Sequence, residues 1–109
     1  MTIPGLHLTH IGNGDFLIEP SKSLNIRDHD RLIEGITARL MQARATRLYY
    51  DLSGLALIEP LYYSWLDALA RAAQTVNVKM ICINMQPTAA FALSKFIRKM
   101  PTFATALTI

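Results

Sequence analysis

The apolar and polar positions along the chain first predict a pair of short strands. Residues 6 to 11 alternate between apolar and polar side chains, and residues 15 to 19 form a second strand-like segment. Between them lies Gly12-Asn13-Gly14, and an Asn-Gly pair favours the positive φ angles of a tight hairpin turn. We therefore predict that the chain begins with an antiparallel hairpin.

The period of the apolar positions then changes to that of a helix in three segments. The first predicted helix covers residues 28 to 44, the second runs from Pro60 to about Asn77, and the third covers residues 89 to 99. Proline suits the first turn of a helix because its fixed φ is helical and an N–H would have no partner there. The second helix has a broad apolar sector, which is typical of a helix packed on a sheet. This sector comprises Leu61, Tyr62, Trp65, Leu66, Ala68, Leu69, Ala72 and Ala73.

Three further strands are predicted between and after the helices. They cover residues 47 to 52, 78 to 83 and 103 to 107, and the second is almost entirely apolar, as expected of a central strand covered on both faces. The resulting order, ββαβαβαβ, predicts an α/β fold. Its sheet would be mostly parallel, with about five strands, an antiparallel hairpin at one edge and helices packed on it.

The composition is rich in apolar residues and poor in charged ones. The chain has 109 residues, of which 51% are hydrophobic and 17% charged, and its mean hydropathy is +0.24. This length fits a single domain over residues 1 to 109. An average soluble domain is about 25% charged. The low charged fraction therefore indicates either a large core or apolar surface that meets a partner.

Charge and cysteine content narrow the function classes. The net charge is +3, but the basic residues are scattered and do not form the dense stripe of a nucleic-acid binder. The single cysteine, Cys82, lies in an apolar strand, as a buried free thiol does in a reducing compartment. The N-terminus lacks the features of a signal peptide, and no apolar stretch approaches the roughly 18 to 20 residues of a membrane span. We predict a cytoplasmic protein that binds neither nucleic acid nor a membrane.

The motifs of common catalytic sites are absent from the sequence. The three histidines, His7, His10 and His29, do not have metal-ligand spacing to one another or to the cysteine. The glycines of the hairpin turn do not join a strand to a helix, as a phosphate-binding loop would, and no serine lies in a nucleophile elbow. We therefore predict neither catalytic activity nor a cofactor or metal.

Four short segments carry a more specific signal. They are Asp51-Leu52-Ser53-Gly54-Leu55, Ile58-Glu59-Pro60, Met85-Gln86-Pro87 and Thr105-Ala106-Leu107. In this order and at this spacing they resemble the STAS family, the anti-sigma-factor antagonist domain, and within it the stressosome scaffold-type members. The resemblance covers nearly the whole chain. It implies a STAS-like fold and a non-catalytic role in bacterial signal transduction and transcription regulation.

The resemblance also implies a docking surface for other proteins. The expected partners are an anti-sigma factor or serine kinase, other STAS-domain proteins, or further copies of the chain. The residues expected on this surface are Asp51, Ser53, Gly54, Glu59, Pro60, Ser64, Gln86, Pro87 and Thr88.

The usual phosphoacceptor of the family is missing. In the family, a Ser or Thr after Ile-Asp accepts phosphate at a helix start, where the helix dipole favours negative charge. Pro60 stands at this position, and Ala92 stands at or beside the second acceptor position of the larger scaffold relatives. We therefore expect no phosphorylation at the usual site. Ser64 is a displaced candidate one turn (about 5.4 Å) further on, although we favour its interpretation as a solvent-facing serine.

A receiver-like phosphoacceptor domain is the alternative hypothesis, with Asp51 at the end of a central strand as the acceptor. Receivers need further acids to hold a magnesium ion. Asp15 and Glu19 lie on the hairpin, in the wrong register for that role. We favour a structural role for Asp51, because a carboxylate at this position accepts hydrogen bonds from the Ser53-Gly54 turn.

The resemblance has a further implication for the C-terminal region. Family members usually continue into a C-terminal helix, whereas this sequence ends at Ile109. Without that helix, part of one sheet face would be uncovered. We therefore expect exposed apolar surface near the C-terminus and self-association in solution.

Overall fold

Strands and helices alternate along the chain in the order that the sequence predicts. A computed structural model describes residues 3–95, 97 and 101–109. Its elements are β1 (Leu6–Gly12), β2 (Asp15–Pro20), α1 (His29–Gln42), β3 (Arg47–Asp51), α2 (Pro60–Thr75), β4 (Lys79–Ile83), α3 (Pro87–Ser94) and β5 (Ala104–Ala106).

The five strands form one sheet in the order β1-β2-β3-β4-β5. β1 and β2 are antiparallel, whereas β2 to β5 run parallel to one another. The hairpin turn has positive φ angles at Asn13 (47°) and Gly14 (83°), the conformation that an Asn-Gly pair favours. The mostly parallel sheet and its antiparallel edge are therefore confirmed.

The hydrophobic core lies between one face of the sheet and the three helices. Ile18, Tyr50 and Cys82 are aligned across β2, β3 and β4, and all three are fully buried. Each helix joins two neighbouring parallel strands in the same direction across the sheet, and because such crossovers are right-handed, the helices share a face. The helix residues of this core are Leu32, Ile36, Leu40, Trp65, Leu66, Leu69, Ala70, Ala73, Ala89 and Leu93.

The observed element boundaries differ from the predicted ones by a few residues. α3 begins at Pro87 rather than at Ala89, while residues 96 and 98–100 of the third predicted helix lie outside the described residues. The predicted burial of Leu61 is wrong, since 43% of this residue is exposed. It lies in the first turn of α2 and borders a shallow surface groove beside residues 27–30, rather than packing over the sheet.

Candidate functional site

The candidate site lies where the parallel strands β3 and β4 end. Asp51 and Ile83, the last residues of these strands, are paired in the register. The N–H of Leu52 donates to the carbonyl of Ile83 at 2.9 Å, so the backbone after β3 stays attached to β4. The segment of residues 52–59 that follows, here called the 52–59 loop, therefore lies beside residues 84–86, which lead into α3.

Asp51 links the two connections through its side chain. Its Oδ1 atom accepts the predicted hydrogen bond from the N–H of Ser53 at 2.9 Å, and a second one from Nδ2 of Asn84 at 3.3 Å. Asn84 has a positive φ of 57°, a conformation that asparagine tolerates better than most residues. The sequence motifs did not indicate Asn84, although an asparagine directly after a strand is a turn signal. The Asp51 carboxylate thus orients both the 52–59 loop and the connection that begins at Asn84.

Two further side chains fix the 52–59 loop to the start of α3. Nε2 of Gln86 donates to the carbonyl of Ser53 at 2.7 Å, and the hydroxyl of Thr88 donates to the carbonyl of Ala56. These bonds join parts of the chain that are more than 30 residues apart in the sequence. The structure therefore brings together four of the predicted docking residues, Asp51, Ser53, Gln86 and Thr88.

The first turn of α2 presents the remaining predicted residues. Glu59 precedes the helix without a side-chain capping bond, and its carbonyl accepts the N–H of Tyr63 at 2.9 Å. Pro60 is the first helical residue, and both Glu59 and Pro60 are exposed. Ser64, one turn further on, is also exposed. Pro60, which the resemblance in sequence leads us to expect at the phosphoacceptor position, is thus on the surface at the positive end of a helix.

Exposed apolar side chains lie beside these polar contacts. Leu57 is 57% exposed and Phe91 is 66% exposed, and together with Pro87 they border a shallow apolar groove between the 52–59 loop and α3. The ammonium of Lys95 lies 4.7 Å from the centre of the Phe91 ring. The sequence pattern did not indicate Leu57 and Phe91 because an apolar residue in a short connection or helix is more often part of the core.

Of the two acids that the sequence places on the hairpin, Asp15 lies away from Asp51. Asp15 pairs with Arg47 at the opposite end of the sheet strands, where the guanidinium Nε atom lies 2.8 Å from the carboxylate. This hydrogen bond and the negative charge of Asp15 raise the pKa of Arg47. Asp15 is therefore held where β2 and β3 begin, at the opposite end of the strands from Asp51.

Metal ligation and thiol chemistry have no candidate group among the described residues. Within residues 3–95, 97 and 101–109, no three His, Cys, Asp or Glu side chains are placed to hold a metal ion. Burial raises the pKa of the Cys82 thiol, which disfavours the reactive thiolate. No helix of this part of the chain is both long and apolar enough to span a membrane.

Known structures share this architecture, although no family model and no curated protein matches the sequence. A serine-to-glutamate variant of RsbS from Moorella thermoacetica superposes with a TM-score of 0.74 and 15% identity, over 95% of this chain and 87% of that one. RsbS is a STAS-domain protein. The chain has a STAS-like fold. The NMR structure of the protein TM1081 is also similar, with a TM-score of 0.68 and 13% identity over 99% of this chain and 91% of that one.

The STAS-like fold gives the candidate site its place in the molecule. One end of the sheet, where the parallel strands finish, carries the loops after β3 and β4 and the first turns of α2 and α3. In open α/β sheets, functional residues are commonly presented at the C-terminal ends of the parallel strands. Three of the four segments that carry the resemblance to the STAS family, residues 51–55, 58–60 and 85–87, lie at this end of the strands.

Proposed function

We propose that this chain is a non-catalytic regulatory interaction module of the anti-sigma-factor antagonist type, acting in the cytoplasm without the usual phosphoacceptor. The observation that carries the proposal is the exposed position of Pro60 at the start of α2, in a STAS-like fold whose neighbouring loops are held in place by hydrogen bonds. Proline keeps the helix start but removes the hydroxyl that phosphorylation needs. Partner binding is then not switched off at this residue.

The proposed docking surface combines an ordered polar part with an apolar part. Fixed loops bind with a smaller entropy loss than mobile ones, and exposed apolar side chains supply the area that a partner buries. Leu57 and Phe91 provide that area next to the hydrogen-bonded loops. We propose an anti-sigma factor or serine kinase, or another STAS-domain protein, as the partner. The full surface comprises Asp51, Ser53, Gly54, Leu57, Glu59, Pro60, Ser64, Gln86, Pro87, Thr88 and Phe91.

Binding of a purified anti-sigma serine kinase tests the docking role. Phe91→Ser removes an exposed ring from the proposed surface, and we expect it to weaken binding at least about tenfold in isothermal titration calorimetry, because interface aromatics often dominate affinity. Met41→Ser is the matched control, since Met41 is 62% exposed but lies on α1. If both variants bind as the original chain does, this surface is not the docking site.

Phosphorylation by the same kinase with ATP tests the missing switch. Mass spectrometry should find no stoichiometric phosphate in residues 53–64 of the original chain, whereas Pro60→Ser should gain one phosphate at the new hydroxyl. Ser64→Ala shows whether the displaced candidate is used. Stoichiometric phosphate on the original chain that disappears in Ser64→Ala would disprove the proposal that regulation by phosphate has been lost.

A further inference from the structure

β1 forms an open edge of the sheet. The strand order places it outermost, and it is hydrogen-bonded to β2 on one side only. Beyond that ladder, none of the backbone groups of residues 7–12 bonds to another described backbone group. The residues from Thr9 to Gly12 are all exposed. The outer backbone groups of β1 are therefore free to pair with a further strand.

This edge has little of the usual protection against strand pairing. Natural edge strands are blunted by charged residues, by proline, by β-bulges or by being short. β1 has seven residues and contains no Lys, Arg, Asp, Glu or Pro, whereas β5 at the other edge has only three residues. A register shift of the β-bulge type between His10 and Gly12 interrupts the end of β1 and leaves residues 6–10 as its regular part. The two edges of the sheet therefore differ in their capacity to accept a strand.

We propose that β1 pairs antiparallel with β1 of a second copy of this chain, around a two-fold axis near Thr9. In this arrangement Thr9 lies opposite Thr9 of the second copy and Leu8 opposite His10, within the regular part of β1. The two residues of each pair are either both even-numbered or both odd-numbered, so their side chains point to the same face of the sheet. Both copies therefore keep their helices on the same side of a continuous ten-stranded sheet. Cross-strand pairs of threonines and of apolar with aromatic side chains stabilise such a ladder.

Three observations favour a second copy as the occupant. Ile11 is 40% exposed on the edge strand and becomes covered by the symmetric partner. The strand carries no Lys, Arg, Asp or Glu, so two copies of a basic chain meet at β1 without like charges. A groove between β1 and α1, lined in part by Gly35 and Ala38, runs beside the strand and leaves room for the neighbouring copy.

The interface would be small. Stable protein interfaces bury roughly 1,200 to 2,000 Å² in total, and one strand pair with its flanking helix surface lies at or below the lower end of this range. We therefore expect a concentration-dependent dimer, with half of the chains associated at about 100 μM. The proposed pairing does not depend on the regulatory role proposed above. β1 is the outermost strand on one side of the sheet, whereas the docking surface lies at the ends of β3 and β4.

Cysteine cross-linking tests the arrangement directly. Cys82 is the only cysteine of the chain and is buried, so Thr9→Cys introduces a single accessible thiol. Opposed residues of an antiparallel pair have Cα atoms about 4.5 to 5.5 Å apart, a separation that a disulfide spans. We expect Thr9→Cys to form a disulfide-linked dimer at least ten times faster than Thr46→Cys, the control at an exposed position between α1 and β3. Equal rates for the two variants would overturn the proposal.

Sedimentation of charge variants provides the second test. Thr9→Lys should weaken dimerisation at least tenfold, and an equimolar mixture of Thr9→Lys and Thr9→Glu should dimerise again, which a merely unfolded variant would not do. A chain that remains monomeric at 1 mM, or a dimer that Thr9→Lys leaves unchanged, would show that β1 is not the interface.

Discussion

Asp51 has a structural role that a single substitution can measure. Its carboxylate accepts hydrogen bonds from Ser53 N–H and Asn84 Nδ2. Asp51→Ala removes both bonds, and we expect the free energy of unfolding to fall by about 1 to 2 kcal/mol, the usual cost of a lost cap or turn. Urea denaturation of both proteins gives the difference.

Asp51→Asn is the control for this prediction. The amide keeps an acceptor oxygen of nearly the same shape, so it should recover much of the lost stability. A loss below about 0.5 kcal/mol in Asp51→Ala, or an equal loss in both variants, would contradict the role of the carboxylate oxygen as the organising acceptor.

The side-chain contacts of the site were predictable only where they are local. Asp51 and Ser53 are two residues apart, and an aspartate in such a turn accepts this bond because of its short side chain. The bond from Gln86 to Ser53 joins residues 33 positions apart. It depends on how α3 is placed against the end of β3, and the periodicity of apolar residues does not specify that placement. The resemblance to a known family, rather than the spacing, is what indicated Gln86.

At the scale of elements, β3 and α2 are joined by a buried chain of hydrogen bonds. Nε1 of Trp65 donates to the hydroxyl of Tyr50 at 2.9 Å, and the hydroxyls of Tyr50 and Tyr62 lie 2.6 Å apart. Trp65 and Tyr50 are fully buried, whereas Tyr62 is half-buried. The sequence placed Tyr62 and Trp65 on the apolar sector of α2, but its pattern does not show that their polar atoms meet at one tyrosine.

Removing one hydroxyl at a time separates the two bonds. Tyr50→Phe leaves the Trp65 indole N–H buried without its acceptor, and we expect a loss of about 1 to 3 kcal/mol in the free energy of unfolding. Tyr62→Phe keeps the bond between Trp65 and Tyr50, so it should cost less than Tyr50→Phe. Urea unfolding followed by tryptophan fluorescence measures both. Equal losses would mean that the indole hydrogen bond contributes no more to stability than the bond between the two tyrosines.

Elements with strong local signals were the most predictable. The hairpin rests on an Asn-Gly turn with the expected positive φ angles, and α2 begins at Pro60 as predicted. Leu61 fits the same apolar sector yet is exposed. Periodicity shows which side of a helix is apolar, but not how far along its length the helix overlaps the sheet. That overlap is a property of the packed molecule.

For the whole molecule, the low charged fraction corresponds partly to exposed apolar side chains. Leu57 and Phe91 are exposed at the candidate site, and Leu107 and Ile109 are 91% and 58% exposed near the C-terminus. A large core therefore does not account for all of the apolar composition. The exposure of Leu107 and Ile109 supports the expected apolar surface in that region, and self-association through it remains a prediction distinct from pairing through β1.

The stability of the whole molecule should depend on pH through Cys82. Burial raises the pKa of its thiol in the folded protein, whereas an unfolded cysteine ionises near pH 8.5. Between about pH 8.5 and the raised pKa, the unfolded chain has lost a proton that the folded chain retains. Raising the pH therefore favours unfolding, and we expect the free energy of unfolding to be about 1.4 kcal/mol lower at pH 9.5 than at pH 7.

The buried tyrosines do not obscure this measurement. Burial also raises the pKa of Tyr50 and Tyr62, but unfolded tyrosine ionises only near pH 10, so their effect begins at higher pH. Urea unfolding under reducing conditions at pH 7, 8.5 and 9.5 gives the profile. Cys82→Ala should be less stable at every pH because it leaves a small cavity, yet it should lose most of the decline up to pH 9.5. If the decline persists unchanged in Cys82→Ala, another group causes it, and the thiol in the folded core is not the source of the pH dependence.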